Sequence, residues 1–344
     1  MKKALALSLK VTIIGLLLWY VVHALNQQDF QKEKLQTLWS GWPWLLLAQF
    51  FIFLLLLLTF VRWRLLLAAQ EIHYSLREAV TLGFIGFFFN QFIPGSTGGD
   101  IFKAYYVAMD HPEKKAAGIT TVFLDRAIGL LDLVALAGAA LLLNWTRITG
   151  DPVLRYLAVL VGVILAGSAV GCILFFSVTV RTHPVVVRLF RRLPFRDVLG
   201  KIQAAVYVYK YHPGRVAIAV VISLTVQIGY VGMTICYAMA LGAKANFLDF
   251  FFIVPLSSLA MSIPTGSPGG LGQSEFAYSE LFKRVHFQDG LILALVQRVN
   301  WYLISLIGAV CYLRRRDRVN RARRLGLEAE ARQAPLGPGV PSNP

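Results

Sequence analysis

Six ionisable residues stand inside long apolar runs: Asp100, Asp125, Arg126, Asp132, Glu275 and Arg298. A charged side chain facing lipid at the centre of a membrane helix costs about 2.5–3.5 kcal/mol, so each is expected to face protein or a water-filled cavity. The residue types suggest two chemistries. Arginine presents a rigid fork of donors that suits phosphate or carboxylate. A carboxylate in such a place either caps free backbone amides or carries a proton. Asp125 and Arg126 are adjacent and point about 100° apart on a helix, so they pair poorly, whereas Asp125 and Asp132 share a face at i, i+7. Arg126 is therefore expected to reach across to an acid in another segment, with a purely structural buried ion pair as the competing reading.

Two of the acids follow an unusual phrase. Residues 93–100 read IPGSTGGD and residues 263–270 read IPTGSPGG, so Pro94, Gly95, Gly98 and Gly99 have counterparts in Pro264, Gly266, Gly269 and Gly270. Proline and glycine break a helix, and at membrane depth the bare backbone is tolerated only inside protein or beside a water-filled cavity. A new helix then starts near Asp100, and another near Ser274 and Glu275. Free amides at helix starts carry partial positive charge and suit anions. A single copy would read equally well as a packing turn with Asp100 and Glu275 as caps; two copies favour a functional site. Arg126 lies 32 residues after Pro94 and Arg298 lies 34 after Pro264, so each phrase has an arginine at an equivalent place.

The elements that position these residues are membrane helices. Of 344 residues, 57% are hydrophobic and 15% charged, against about 45–50% and about 25% in soluble chains. Six runs meet the roughly 20 apolar residues a span needs: 4–25, 42–61, 118–145, 153–178, 216–241 and 289–313. The two phrases fall in the remaining apolar stretches, 79–109 and 247–284. The arm 79–93 would be about 22 Å long as a helix, short of a core about 30 Å thick. Each stretch is thus expected to be a re-entrant helical hairpin. The basic residues sit between the runs; with 79–109 re-entrant, Arg62, Arg64, Arg77, Lys114, Lys115, the 181–215 loop and the tail all fall on the cytoplasmic side, as does the N-terminus. The second hairpin then enters from outside. The fold class expected is an all-α polytopic membrane protein with six transmembrane helices and two re-entrant hairpins in an inverted repeat, the usual build of secondary transporters. Residues 1–145 form one half, 146–313 the other, and 314–344 a basic and then disordered tail. An uncleaved first helix is favoured over a secretory signal.

Other classes are disfavoured. The formal net charge of +16 follows the positive-inside distribution, so no nucleic-acid partner is expected. Cys172, Cys236 and Cys311 are isolated, the histidines are scattered, and no nucleophile elbow, HExxH pair or Walker loop occurs, so neither metal, cofactor nor enzyme activity is expected. The arginines and apolar residues of 181–215 fit an interfacial amphipathic helix or a solvated loop equally well. Gly162-x₃-Ala166 and Gly167-x₃-Gly171 are small-residue steps suited to helix packing.

The stretches FNQFIPGSTGGDIFKAYYV (89–107), FLDRAIGL (123–130), SIPTGSPGGLGQSEF (262–276) and LVQRVNWY (295–302) resemble the flippase-like transmembrane region of lysylphosphatidylglycerol synthases, a family that also occurs as stand-alone membrane proteins. The hydrophobic layout is similar over roughly residues 1–315. The resemblance adds Asn90 and Lys103 to Arg126 and Arg298 as substrate-binding positions, and Asp100, Asp125, Asp132 and Glu275 stand as ion-coupling or capping acids. Lys103 stands where the family often has arginine, which removes a bidentate fork from that position. The fused synthases carry a cytosolic aminoacyl-transferase domain; here about thirty polar residues end the chain, which disfavours lipid aminoacylation.

The expected function is transport of an amphiphile with an anionic, phosphate-bearing head group across a bacterial cytoplasmic membrane, with both termini inside. The alternatives are an integral-membrane enzyme or enzyme subunit acting on lipid-linked sugars or lipid head groups, and a lipid-binding scaffold. Membrane lipids are the expected partners. Either Lys103 and the arginines neutralise Asp100 and Glu275 permanently, or one acid takes up a proton as the lipid binds; proton coupling is placed on Glu275, which has no basic neighbour in the next turns of the chain before Lys283.

Overall fold

The run from Trp42 to Ala69 holds no glycine, and its one proline, Pro43, sits in the first turn where its missing N–H costs nothing. It forms one helix of 28 residues, about 42 Å long, which is ample for a bilayer core. The computed structural model describes residues 32–93, 98–176, 207–243, 246–262 and 267–333. Among them every helix or strand assigned is helical. In chain order these are α1 (Lys32–Ser40), α2 (Trp42–Ala69), α3 (Leu76–Phe92), α4 (Gly98–Asp110), α5 (Lys115–Leu143), α6 (Trp145–Gly150), α7 (Pro152–Phe176), α8 (Pro213–Ala240), α9 (Phe247–Met261), α10 (Gln273–Lys283) and α11 (Gly290–Gln333), with short 3₁₀ turns at Pro112–Lys114 and Tyr209–Tyr211.

Four helices among the described residues are long and apolar enough to cross a membrane, on Trp42–Ala69, Pro112–Leu143, Pro213–Ala240 and Gly290–Arg316. α7 falls on the expected span 153–178, with a shorter apolar stretch, Pro152–Ser168. The expected span 4–25, most of the 181–215 loop, and Pro94, Gly95, Pro264 and Gly266 lie outside the described residues. Large apolar side chains cover the outside of the bundle, Leu143, Ile101 and Phe123 among them. Such a surface belongs in lipid, not water. This is a membrane protein.

Three expectations need correction. α2 runs two turns past residue 61, so Arg62 is no loop charge; it is buried in the bundle. α11 continues as helix through Gln333, where a disordered tail was expected from about 325. Gly162, Gly167 and Gly171 have no neighbour within 4 Å where a side chain would point, so those small-residue steps pack against nothing described.

The helices pair reciprocally. α2 and α8 pack along their length in opposite directions: Arg215 at the start of α8 donates to the carbonyl of Ala68 at the end of α2, and Gly41 before α2 lies against Ala240. α3 packs on α11, and α9 packs on α5; α4 packs on α5, and α10 packs on α11. α3 and α4 form a helical hairpin whose aromatic rings Phe89 and Phe102 stack at 3.6 Å. α9 and α10 form a second, joined by Phe250 against Phe282 and by Gln273 donating to the Ala260 carbonyl at 2.5 Å. Both ends of the first hairpin lie at the end of the bundle where α2 finishes; both ends of the second lie at the other. The far end of each hairpin is held by an ion pair to another helix or its cap. Asp110 closing α4 accepts from Arg315 of α11 at 2.6 Å, and Arg284 after α10 pairs with Asp151 before α7.

Candidate functional site

Gly99 stands in the first turn of the short helix α4, and its close fit explains the residue type. A Cβ there would stand 1.7 Å from the carbonyl oxygen of Gly86, so only glycine lets the two arms meet. The Gly99 N–H donates to the Asn90 side-chain oxygen at 2.8 Å. At the second hairpin Gly269 has φ +54 and lies against the backbone of Gln91, where a Cβ would be 2.9 Å from the carbonyl oxygen. The two hairpins therefore touch: the turn of the second rests on the end of α3. The Gly272 N–H donates to Glu275 at 2.8 Å. Thus two of the helix-start amides that the sequence offered to an anion are already taken, one by Asn90 and one by Glu275.

The two arginines pair with the acids at these helix starts. Arg126 of α5 donates to Asp100 of α4 at 2.5 Å. Arg298 of α11 pairs with Glu275 of α10 and also donates to the carbonyls of Gly269 at 3.1 Å and Gly270 at 2.9 Å. Ser274 accepts from Arg298 and donates to Glu275 at 2.8 Å. Each hairpin is thus bolted to the span that follows it by one acid–arginine pair. The pairs are unequal: the side chain of Arg126 is 51% exposed and that of Arg298 is 9% exposed.

Both arginines line one cavity of about 270 Å³ between the hairpins. Phe87, Asn90 and Gln91 of α3 form one wall; Tyr278 of α10 with Ala294, Gln297 and Trp301 of α11 form the other; Tyr230 of α8 and Met261 of α9 also reach it. The cavity is small for a ligand pocket.

The structure thus gathers Asn90, Arg126 and Arg298, but not Lys103. That residue is buried, its ammonium 5.0 Å from the centre of the Trp63 ring and its stem against Gly86. It does not line the cavity. The acids also divide. Asp100 and Glu275 hold the cavity arginines. Asp125 instead pairs with Arg62 at 2.7 Å, and Arg62 also donates to Ser223 of α8 at 2.7 Å, which welds α2, α5 and α8 together. Asp132, further along α5, has one buried carboxylate oxygen without a hydrogen-bond partner among the described residues. The expectation for Glu275 rested on its chain neighbours; in space Arg298 is its cation. No group of three His, Cys, Asp or Glu among the described residues could hold a metal ion.

Sequence reasoning missed Gln297, Trp301, Tyr230 and Arg62. The first two were findable, because 294, 297, 298 and 301 share a helix face with Arg298. Arg62 had no such signal, since an arginine near the end of an apolar run reads as a loop charge.

A UPF0104 membrane protein of Pyrococcus horikoshii is 22% identical over 345 residues, covering 92% of this chain and 98% of that protein. No solved structure matches the chain. The model of the lysylphosphatidylglycerol synthase TM region matches residues 7–308, and the chain belongs to that family.

Proposed function

We propose that the protein is a lipid transporter that moves an amphiphile with a phosphate-bearing head group across the bacterial cytoplasmic membrane, both termini inside. The observation that carries this reading is the meeting of Arg126 and Arg298, one from each half, on a single cavity between two touching hairpins. Guanidinium forks suit phosphate oxygens, and the cavity volume suits a head group whose tails stay in the bilayer. The antiparallel pairing of α2 with α8 and the exchanged contacts of α3 with α11 and α9 with α5 support an inverted repeat with re-entrant hairpins. In such repeats the substrate sits between the halves, and alternating access rocks one half against the other. The unequal exposure of the two arginines fits one such state: the α5 side is open and the α11 side is shut.

Coupling follows from the same pairs. The acids stay neutralised by their arginines until a phosphate arrives and competes for the guanidinium donors. The Arg298 contact supports this over proton carriage by Glu275, whose carboxylate already has a cation and two other donors. A Glu275→Gln variant that binds lipid but loses its response to an imposed pH difference would restore proton carriage. The transport reading is tested by purifying the protein from membranes, identifying the retained lipids by mass spectrometry, and comparing an Arg126→Ala variant. A phosphate-bearing lipid enriched in the parent and lost in the variant supports it; identical lipid sets count against it.

A further inference from the structure

Lys103 is 7% exposed and makes no hydrogen bond or ion pair with the described residues; its ammonium lies 5.0 Å from the centre of the Trp63 ring. The charged groups around it are the carboxylates of Asp125 and Asp100 and the guanidiniums of Arg126 and Arg62. Arg62 is committed to Asp125, and Arg126 to Asp100. Asp132, two turns farther along α5, faces Arg62. Three cations thus share two neighbouring carboxylates, and the one left over is the buried lysine. A buried ammonium without an acid is costly, so its place needs a reason. Its position in α4 supplies one. Lys103 stands three residues after Asp100, so the two side chains leave one face of the helix at neighbouring points. Its stem and the Gly99 carbonyl both lie against Gly86.

We infer that Lys103 is a reserve counterion for Asp100: when a phosphate draws Arg126 away, the ammonium leaves the Trp63 ring and pairs with the freed carboxylate. This deepens the coupling step of the proposed function and rests on it. Lys103 acts through Asp100, as a positioning residue, and does not touch the lipid. Charge balance is the physical ground. A phosphodiester carries a single negative charge, so its arrival sets three anions against the three cations: Arg126 on phosphate, Lys103 on Asp100, Arg62 still on Asp125. Without Lys103 the same step would strand Asp100, whose side chain is only 14% exposed, and removing one partner of a buried pair is the costly case. The lysine stem is flexible enough to make the move, and a ring face holds an ammonium without an acid until it is needed.

The test is a double-mutant cycle on the full chain, read as melting temperatures. Arg126→Gln imitates the removal of Arg126 by phosphate, and Lys103→Met keeps the stem but not the charge. Each alone should lower the melting temperature little, because the remaining cation serves Asp100. Together they should lower it far more than the sum of the two single shifts. Adding Asp100→Asn to the pair should bring most of the loss back, since no charge is then stranded; this also covers a double variant that fails to fold. Additive shifts, or no recovery with Asp100→Asn, overturn the inference. The cycle needs no transport, so it decides even if labelled phosphatidylglycerol fails to cross in proteoliposomes, an outcome that removes the transport reading alone. Where the lipid does cross, Lys103→Met should slow it at least about tenfold, and Lys103→Met with Asp100→Asn should regain most of the rate. A packing role for Lys103 would leave those two variants equally slow, and that result, or a parental rate in Lys103→Met, overturns the inference as well.

Discussion

Arg298 holds Glu275 in an ion pair whose carboxylate is completely buried, whereas the equivalent pair, Arg126 on Asp100, leaves half its arginine exposed. Removing one partner of a buried pair strands the other charge and costs about 3–5 kcal/mol, although replacing both is often neutral. Arg298→Gln should therefore lower the melting temperature sharply, and Arg298→Gln with Glu275→Gln should recover most of the loss. A double variant as unstable as the single would show that Arg298 stabilises through the Gly269 and Gly270 carbonyls instead.

Arg126→Gln should behave differently. Arg126 is half exposed, so water screens its pair with the more buried Asp100, and the variant should cost less stability than Arg298→Gln and still fold and express. Its role in binding should nevertheless be lost, with transport of labelled phosphatidylglycerol falling at least about tenfold. Parental transport rates in a well-folded Arg126→Gln protein would remove Arg126 from the site.

The legibility of this site in the sequence was uneven for a physical reason. Charges inside apolar runs are conspicuous because lipid makes them costly, so Arg126, Arg298, Asp100 and Glu275 stand out. The repeated phrase likewise marks where helices break. Pairing between distant helices leaves no trace in a single chain. The weld of Arg62 to Asp125, 63 positions apart, and the turning of Lys103 away from the cavity toward Trp63 emerge only from packing. The choice of Glu275 as proton carrier rested on its chain neighbours, and helix neighbours in sequence are poor guides to neighbours across a bundle, where Arg298 meets it.

Gly99→Ala should open the first hairpin. Its Cβ would collide with the Gly86 carbonyl and with Asn90, 2.8 Å from the amide carbon. Separating the arms would also unstack Phe89 from Phe102. Overpacking of this kind costs about 1–3 kcal/mol or more. The control is Gly162→Ala, a helical position with nothing within 4 Å, where alanine should be neutral or slightly stabilising. Thermal melts of the two purified variants decide; equal melting temperatures would mean the arms are not in contact.

Orientation can be read from two exposed aromatic residues at opposite ends of the bundle. Tyr211 precedes α8 near the end of α2, among Arg64, Lys114 and Arg215, and Trp145 follows α5 at the other end. The positive-inside bias puts Tyr211 in the cytoplasm. In a background lacking Cys172, Cys236 and Cys311, Trp145→Cys should react with an impermeant maleimide in intact cells, and Tyr211→Cys only after permeabilisation. Labelling of both from one side would contradict the inverted repeat.

The tie between Asp151 and Arg284 gives the fold a pH dependence outside the membrane. Asp151 caps α7 by accepting from the Val153 N–H at 2.8 Å and the Leu154 N–H at 3.3 Å, and its other oxygen takes Arg284. Burial pushes this carboxyl up, but the Arg284 hydrogen bond and the two amides outweigh it and hold it below its ordinary range. A depressed carboxyl contributes stability above its unfolded value, about 3.9, and that contribution drains away as pH falls through the lower folded value. Asp151→Asn, which keeps a capping oxygen, should therefore cost stability at pH 7, by about 1 kcal/mol for an ion pair of this exposure. The gap between parent and variant should close progressively below about pH 4, because the parent then loses the charge that the variant never had. Melting curves of both proteins from pH 7 downward measure the gap; one that stays constant, or widens with acid, would show that the Asp151 charge does not hold the second hairpin to α7.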